Sequence, residues 1–333
     1  MIYADQRWIG HHGIGRFARH VLAGLDYRPV PLTSHPAAPL DAWRLPRALR
    51  MATRTDLFFS PGYNTPLFER CRFVFTIHDL GHVYCPENSS PAIRLYYSTI
   101  MRRACQRAVK ILTVSEFTRS QILQWSGVEP SKVLNVGCGV DAAYRPDGDL
   151  YDFPFPYLLC VSNRKRHKNE FRVVEAFAKA DIDRRIRLVF TGKPAAGLSR
   201  LIEKLQLQHR VNFTGLVSEA KLPSLYRGAK ALIFPSLYEG FALPVVESMA
   251  CGTPVVTANV TAMPEVAADA ALFVNPTSSD QIAMGIEQIV YDDSLRICLR
   301  EKGLRRATHF TWTRTADSVH HLLAAQSNHA SLG

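Results

Sequence analysis

Short apolar runs alternate with longer helix-like stretches along the chain. The runs consist mainly of aliphatic, β-branched and aromatic residues, as at 57–60 and 157–161. Near-continuous apolar strands separated by helices are typical of parallel sheets that are buried on both faces. The pattern therefore predicts an α/β fold. We expect strands at 57–60, 73–77, 111–114, 157–161, 188–191, 211–214, 231–234 and 254–257.

Helix-start signals follow several of these runs. Ser115 and Ser218 are each followed by a glutamate and suit the N-cap position, and Pro244 suits a first helical turn. Proline, aspartate and glycine interrupt the pattern at 141–156, which indicates a domain boundary near residue 150. Near the end of the chain, apolar residues at helical spacing predict a packed terminal helix.

Composition narrows the class of protein. The 333 residues suit about two domains. A formal charge of +11, shared by both halves, suits a nucleotide diphosphate, an anionic membrane or a nucleic acid alike. The seven scattered cysteines form no C-x-x-C pair, so neither a disulfide framework nor a zinc knuckle is indicated. Without a recognisable signal peptide or an apolar stretch of about 18 residues, we expect a cytoplasmic protein.

The segment 234–256 carries the most informative pattern. A strand end leads into a glycine turn, a proline-started helix and a second strand. In an open parallel sheet, such a junction lies at the carboxyl ends of the strands, where ligands bind and free helix N–H groups attract anions. Glu239 then lies beside an anion site, and Glu247 lies further along the helix. The alternative is that both are solvated acids favoured by the helix dipole.

This segment resembles the E-x7-E signature of retaining GT-B glycosyltransferases of family 4, the mannosyltransferase-like group 1. The flanking words Pro-Ser-x-x-Glu-Gly-Phe and Ala-x-Gly-x-Pro-Val-Val are both present. Further words of the family occur in family order across nearly the whole chain. They lie at 76–80, 113–118, 135–141, 161–169, 213–215 and 310–312.

The resemblance implies a GT-B fold, in which two Rossmann-like parallel-sheet domains face a central cleft. Residues 1–150 would form the acceptor-side domain and residues 151–308 the nucleotide-sugar domain. Residues 309–333 would return as a helix to the first domain. The implied reaction is a metal-independent, retaining transfer of a hexose that needs no cofactor besides its sugar nucleotide.

Among donors, the resemblance favours GDP-mannose, with UDP-glucose and dTDP-rhamnose as alternatives. The acceptor would be a saccharide or a lipid-linked saccharide in cell-surface polysaccharide or lipopolysaccharide synthesis.

The resemblance also implies roles for the acidic segment. Glu247 would accept hydrogen bonds from the donor ribose and Glu239 from the transferred sugar, because an ionised carboxylate can accept two bonds from a vicinal diol. Backbone N–H groups at the helix start would hold sugar or phosphate oxygens. The candidates for that contact are Gly240, Phe241, Ala242 and Leu243.

Lys168 lies in a basic loop after the first strand of the second domain. In the family, an Arg-x4-Lys pair offsets the charge of the departing diphosphate without a metal. Here Asn163 occupies the arginine position by direct count. Arg164 and Arg166 are both candidates to replace that arginine. The alternative is a solvated basic loop.

A Gly13-x-Gly15-x-x-Ala18 match near the start fits the dinucleotide fingerprint only weakly, because no acid follows at the expected distance. It leaves open an NAD(P)-dependent oxidoreductase. By resemblance, this stretch is instead a glycine-rich loop before the first helix, through which the backbone and Arg16 approach the donor diphosphate.

His78 follows the strand at 73–77 and would contact the transferred sugar by resemblance, with Asp79 orienting its ring. His78 and His82 have i, i+4 spacing, but Gly81 and the position after a strand disfavour a helix that would present both rings to a metal ion.

The arginines 44, 47, 50 and 54 have the spacing of one helical stripe, with Trp43 and Leu49 off it. Such a stripe fits an anionic membrane, here the inner face of the cytoplasmic membrane, or a merely solvated surface. A nucleic-acid-binding protein is a further alternative. It is disfavoured because the aromatic residues fall mostly within strand and helix patterns.

Overall fold

The computed structural model describes residues 1–38, 40–68, 70–85, 87 and 89–328. Its internal contacts separate two compact units. The first unit combines Met1–Gly139 with the residues from Thr311 onward, and the second is Val140–Phe310. Each unit contains one six-stranded sheet, and every strand pair is parallel. The predicted α/β class is confirmed.

The second unit begins ahead of the boundary near residue 150 that the proline-rich interval suggested. This interval belongs to the second unit because its backbone groups form hydrogen bonds with residues of that unit. The Tyr151 N–H donates to the Ser224 carbonyl at 3.0 Å. The Arg227 guanidinium donates to the Asp149 carbonyl at 2.9 Å. The interrupted pattern therefore marks an irregular segment packed on the second unit.

The strands of the first unit are β1 (Ile2–Ala4), β2 (Arg28–Pro29), β3 (Leu57–Ser60), β4 (Arg72–Thr76), β5 (Lys110–Thr113) and β6 (Val133–Asn135). The helices between them are α1 (Gly13–Leu22), α2 (Asp41–Ala48), α3 (Gly81–Tyr84), α4 (Pro91–Tyr96), α5 (Arg102–Arg107) and α6 (Glu116–Ser126). The order in the sheet is β2-β1-β3-β4-β5-β6. The central strands are almost wholly buried because apolar helix faces cover the sheet.

The strands of the second unit are β7 (Tyr157–Cys160), β8 (Arg187–Phe190), β9 (Val211–Phe213), β10 (Ala231–Phe234), β11 (Val255–Ala258) and β12 (Leu272–Val274). Its helices are α7 (Glu170–Lys179), α8 (Ala196–Lys204), α9 (Leu222–Gly228), α10 (Leu243–Ala250), α11 (Met263–Ala267), α12 (Ser279–Tyr291) and α13 (Asp293–Ala307). The order in the sheet is β12-β11-β10-β7-β8-β9.

The final helix is α14 (Trp312–Asn328), and it packs against α1 and β3 of the first unit. The Trp312 ring stacks on His20 with ring centres 4.5 Å apart. The His320 ring is hydrogen-bonded to the Val21 carbonyl at 2.9 Å. Among the described residues, none of the helices combines the length and the apolar character that a membrane crossing requires.

The strands predicted from apolar runs are all present, and their bounds agree within one residue. The Ser115 cap is confirmed, since its hydroxyl accepts from the Thr118 N–H at 3.0 Å. Pro244 lies in the first turn of α10, as predicted. The Ser218 cap is wrong. A turn separates this residue from α9, and its carbonyl accepts from the Leu222 N–H at 3.1 Å.

The prediction of four arginines on one helical stripe is also wrong. Helix α2 ends at Ala48, so only Arg44 and Arg47 lie on it. The chain turns after that point, and Leu49 in the turn is buried, at 1% exposure. Arg50 and Arg54 therefore follow the helix, although all four arginines are exposed.

Candidate functional site

The second sheet reverses its direction of growth between β7 and β10. From β7 the chain continues to β8 on one side, and from β10 it continues to β11 on the other. Loops that leave the carboxyl ends of two such strands diverge and leave a crevice, where open α/β sheets bind ligands. Lys168 lies after β7 and Glu239 after β10.

These two side chains form an ion pair. The Lys168 Nζ lies 2.6 Å from Glu239 Oε1, and the side chains are 14% and 11% exposed. The ammonium also lies 5.4 Å from the centre of the Phe234 ring. A cation and a carboxylate, both mostly shielded from water, therefore meet at the switch point of the sheet.

Asn169 joins the loops around this pair and was not identified from the sequence as a site residue. It adopts a left-handed conformation with φ 63°, which asparagine tolerates better than most residues. Its amide donates to the carbonyls of Pro235 at 2.9 Å and Pro276 at 2.7 Å. Its side chain is buried. This residue fixes the position of the neighbouring Lys168 relative to the loop that follows β10.

The helix start after Glu239 has a strained backbone. Ala242 has φ 78°, a left-handed conformation that costs a non-glycine residue about 1–2 kcal/mol. Gly240, Phe241 and Ala242 are buried and Leu243 is half-buried. The Phe241 ring packs edge-on against Phe310, with ring centres 5.6 Å apart. This packing holds the turn in place at the start of α10.

Glu247 lies within α10 and has a different environment from Glu239. It is 1% exposed, and its Oε2 accepts from the Tyr226 hydroxyl at 2.7 Å. Tyr226 belongs to α9 and is wholly buried. The structure thus joins Glu239 to Lys168, and Glu247 to a tyrosine that no sequence motif had indicated.

The basic loop after β7 separates its two candidate arginines. The Arg164 guanidinium is ion-paired with Glu170, donates to the Thr191 carbonyl, and donates to the Lys193 carbonyl at 2.8 Å. Its contacts tie the loop to the strand ends of the second unit. Arg166 is exposed, and its guanidinium has no hydrogen-bond or ion-pair partner within the described part of the chain.

In the first unit, Gly13, Gly15 and Arg16 lie in the first turn of α1, whereas a loop before that helix was predicted. His12 caps this turn, since its Nδ1 accepts from the Gly15 N–H at 3.1 Å. Burial lowers the pKa of His12, which favours the neutral ring that can accept. A Cβ on Gly15 would lie 2.5 Å from the Gly10 nitrogen, so this close approach needs glycine.

His78 is buried after β4 at 8% exposure. Its Nε2 donates to the Pro61 carbonyl at 2.8 Å, and its ring lies edge-on to Phe17 at 4.9 Å. Burial lowers the pKa of His78 to about 4, so the ring is neutral near pH 7. The Asp79 carboxylate accepts from the Gly81 N–H at 2.8 Å. The hydrogen bond to Pro61, rather than one to Asp79, therefore orients the imidazole.

The two units thus carry different chemistry. In the second, Lys168 supplies a fixed positive charge and Glu239 supplies acceptors for hydroxyl groups, both at the carboxyl ends of strands. In the first, the neutral imidazole of His78 follows β4, and the closely packed glycine at the start of α1 follows β1, with β3 between these two strands in the sheet. Among the described residues, no cluster of three or more histidine, cysteine, aspartate or glutamate side chains is placed to hold a metal ion.

Comparison with known families identifies the class of protein. Residues 153–322 match the family Glycosyl transferases group 1, and residues 7–144 match Glycosyltransferase Family 4. The chain belongs to the glycosyl transferases of group 1. It is therefore an enzyme that transfers a glycosyl group, and its two parallel sheets are those of the GT-B fold.

Individual relatives agree with this class. The chain is 30% identical over 292 residues to O-antigen chain mannosyltransferase B of Escherichia coli, which covers 82% of this chain and 76% of that protein. It is 26% identical to the serotype-specific mannosyltransferase WbdA of Escherichia coli, over 77% of this chain but only 33% of that protein. The solved structure of sucrose-phosphate synthase from Thermosynechococcus elongatus superposes with a TM-score of 0.79, at 21% identity over 97% of this chain and 98% of that one.

Proposed function

We propose that this glycosyltransferase moves mannose from GDP-mannose to a saccharide or lipid-linked saccharide during synthesis of a cell-surface polysaccharide such as lipopolysaccharide. The observation that carries the proposal is the Lys168–Glu239 pair at the switch point of the second sheet. The mannosyltransferase relatives support mannose as the sugar.

Lys168 and Glu239 have different roles at the glycosidic bond that breaks. As the glycosidic bond breaks, negative charge grows on the departing diphosphate, and the Lys168 ammonium offsets it. A preorganised charge in a site that excludes water acts strongly because it needs no reorganisation during the reaction. Glu239 accepts hydrogen bonds from sugar hydroxyls, and the ion pair with Lys168 orients that carboxylate.

Arg166 is the better candidate than Arg164 for a second phosphate contact. The Arg164 guanidinium already binds Glu170 and two backbone carbonyls. Arg166 is exposed and lies two residues from Lys168 in the same short helical turn. Its position compensates for Asn163 at the place where the family has an arginine.

Glu247 is proposed to bind the donor ribose. Its carboxylate is held by the Tyr226 hydroxyl through one oxygen, Oε2, and a carboxylate has about four lone-pair sites in all. Backbone groups of Gly240, Phe241, Ala242 and Leu243 are proposed to bind the sugar or distal phosphate oxygens. In the first unit, Gly13, Gly15 and Arg16 are proposed as diphosphate contacts, and His78 as a contact of the transferred sugar.

The proposed mechanism retains the anomeric configuration and uses neither a metal nor a cofactor. The acceptor hydroxyl attacks from the same face that the diphosphate leaves, and a diphosphate oxygen takes its proton. The new glycosidic bond forms as the sugar–phosphate bond breaks, so no covalent enzyme intermediate is required. The contribution of the protein is positioning and electrostatic stabilisation.

A lipid-linked acceptor implies contact with a membrane surface, which we propose for the region around α2. Trp43 and Phe68 are 48% and 58% exposed, and their rings are in contact at 5.7 Å. The four exposed arginines of this region supply positive charge for anionic lipids. The active enzyme would then work at the cytoplasmic face of the membrane.

The test is a donor panel with purified protein, in which nucleotide release is measured with GDP-mannose, UDP-glucose and dTDP-rhamnose. We expect turnover with GDP-mannose that persists in EDTA, and an α-linked product by NMR from the α-linked donor. Turnover only with UDP-glucose or dTDP-rhamnose would replace the donor assignment and keep the site. An inverted product would refute the front-face mechanism.

A further inference from the structure

A second concave site lies at the amino-terminal ends of strands in the second sheet, whereas Lys168 and Glu239 follow the carboxyl ends. A cavity of about 210 Å³ is lined by residues that directly precede two strands, Lys230 before β10 and Pro254 before β11. Strand β10 has four residues, so its two ends are about 13 Å apart. The cavity is therefore separate from the crevice at the carboxyl ends of the strands.

The wall of this cavity is strongly basic. Its described lining includes Arg227, Lys230, Arg296 and Arg300, and contains no aspartate or glutamate. Arg296 is ion-paired with Asp293 of the same helix. Within the described residues, the other three cations have no acidic partner, so one concave surface carries about three uncompensated positive charges.

Backbone contacts fix two of these cations in place. The Arg300 guanidinium donates to the Gly252 carbonyl at 2.8 Å. Arg227 donates to the carbonyls of Asp149 at 2.9 Å and Arg145 at 3.3 Å. A bond to a neutral carbonyl orients a guanidinium without cancelling its charge, and each guanidinium has five N–H donors. Both side chains therefore keep donors and charge for another acceptor.

Lys230 adds a free ammonium to this fixed pair. Its side chain is half-buried, and within the part of the chain that the structure describes it has no hydrogen-bond or ion-pair partner. Burying part of a lysine beside two arginines is unfavourable unless an anion compensates it. Guanidinium groups together with an ammonium are typical ligands of phosphate oxygens.

The size of the cavity limits the ligand. At about 210 Å³ it is smaller than the roughly 300–1,000 Å³ of pockets that enclose drug-sized ligands. A complete sugar nucleotide exceeds this space, whereas an inorganic phosphate or pyrophosphate fits. We propose that this cavity binds a small phosphate-bearing anion of pyrophosphate size, independently of the sugar-nucleotide site. The proposal does not depend on which sugar the enzyme transfers.

Footprinting of lysines by a lysine-acylating reagent tests the site without a mutation. The full chain is labelled with and without inorganic pyrophosphate, at equal ionic strength adjusted with sodium chloride, and labelling is located by mass spectrometry. Lys204, an exposed lysine in α8 that lies outside the cavity, is the matched internal control. We expect pyrophosphate to slow acylation of Lys230 and to leave Lys204 unchanged. Equal rates at Lys230 with and without pyrophosphate would overturn the proposal.

Calorimetry with variants then measures which residues bind. Lys230→Met and Arg300→Gln should each weaken pyrophosphate binding at this site by about tenfold or more, since each removes one charge-assisted contact. Lys204→Met should bind as the wild type does. Lys168→Met should keep the protection of Lys230, which separates this site from the proposed donor site. Loss of that protection in Lys168→Met, with unchanged protection in Arg300→Gln, would refute an independent site.

Discussion

Replacing Lys168 with methionine removes one charge from the ion pair at the switch point and keeps most of the side-chain volume. The Glu239 carboxylate, 11% exposed, then loses the cation that lies 2.6 Å from its Oε1. Removing one partner of a fully buried pair costs about 3–5 kcal/mol. Because some water still reaches this pair, we expect the free energy of unfolding to fall by about 2–3 kcal/mol.

Glu239→Gln is the complementary change. The amide oxygen can still accept from Lys168, so a loss of about 1 kcal/mol is expected. The double variant should lose less than the sum of the two single variants, since the two residues contact each other directly. Both single variants should lower turnover. For Lys168→Met the expected factor is about 10² to 10³, typical for removal of one preorganised group that stabilises transition-state charge.

Urea unfolding at pH 7 measures the free energy of unfolding of each variant, and nucleotide release from the sugar donor measures turnover. Lys165→Met is the matched control, because it removes an exposed lysine from the same loop. An unfolding midpoint for Lys168→Met equal to that of the wild type would contradict the stabilising role. A loss of turnover in Lys165→Met as large as in Lys168→Met would show that general loop charge, rather than the paired ammonium, supports the reaction.

Three further changes probe other parts of the structure. The pKa of His78 lies at about 4, below its ordinary value of about 6.5. Between these two pH values the folded state therefore binds fewer protons than the unfolded state. The free energy of unfolding should therefore fall by up to about 3 kcal/mol as the pH drops from 6.5 to 4, and urea titrations should show this slope flattened in His78→Gln but not in the exposed His321→Gln. A thiol reagent should label Cys298 rapidly and the six buried cysteines slowly, with the fast phase absent from Cys298→Ser. Gly15→Ala should lower the melting temperature and cost about 2–3 kcal/mol, since its Cβ meets the Gly10 backbone at 2.5 Å. A melting temperature of Gly15→Ala equal to that of the wild type would contradict this, because it would show that the start of α1 can shift to make room for the Cβ.

Apolar runs predicted the central strands well because these strands are buried on both faces. The four strands that the runs did not predict, β1, β2, β6 and β12, are shorter or less buried. Strand β2 has two residues, both exposed, and β12 is mostly half-buried. Their position depends on pairing with a neighbouring strand, which a local pattern does not contain. The same limit explains Ser218, where a turn intervenes between a good cap residue and the helix.

The candidate site was predictable as a location, because strand ends and a proline-started helix have local signatures. The contacts within it were not. Lys168 and Glu239 are 71 positions apart, and they meet only because β7 and β10 are neighbours in the sheet. Tyr226 and Asn169 act through buried hydrogen bonds, and neither has a spacing that marks such a role. The commitment of Arg164 to Glu170 is likewise visible only in three dimensions.

The order of the units along the chain has a consequence for synthesis on the ribosome. The first unit consists of residues before Val140 together with α14, which supplies buried Trp312, Val319 and Leu323 to it. At translation rates of about 5–20 residues per second, these two parts emerge roughly 10–30 s apart. The amino-terminal part of the first unit therefore keeps an apolar surface uncovered until α14 has been synthesised. The second unit is one contiguous segment and can fold as soon as that segment is complete.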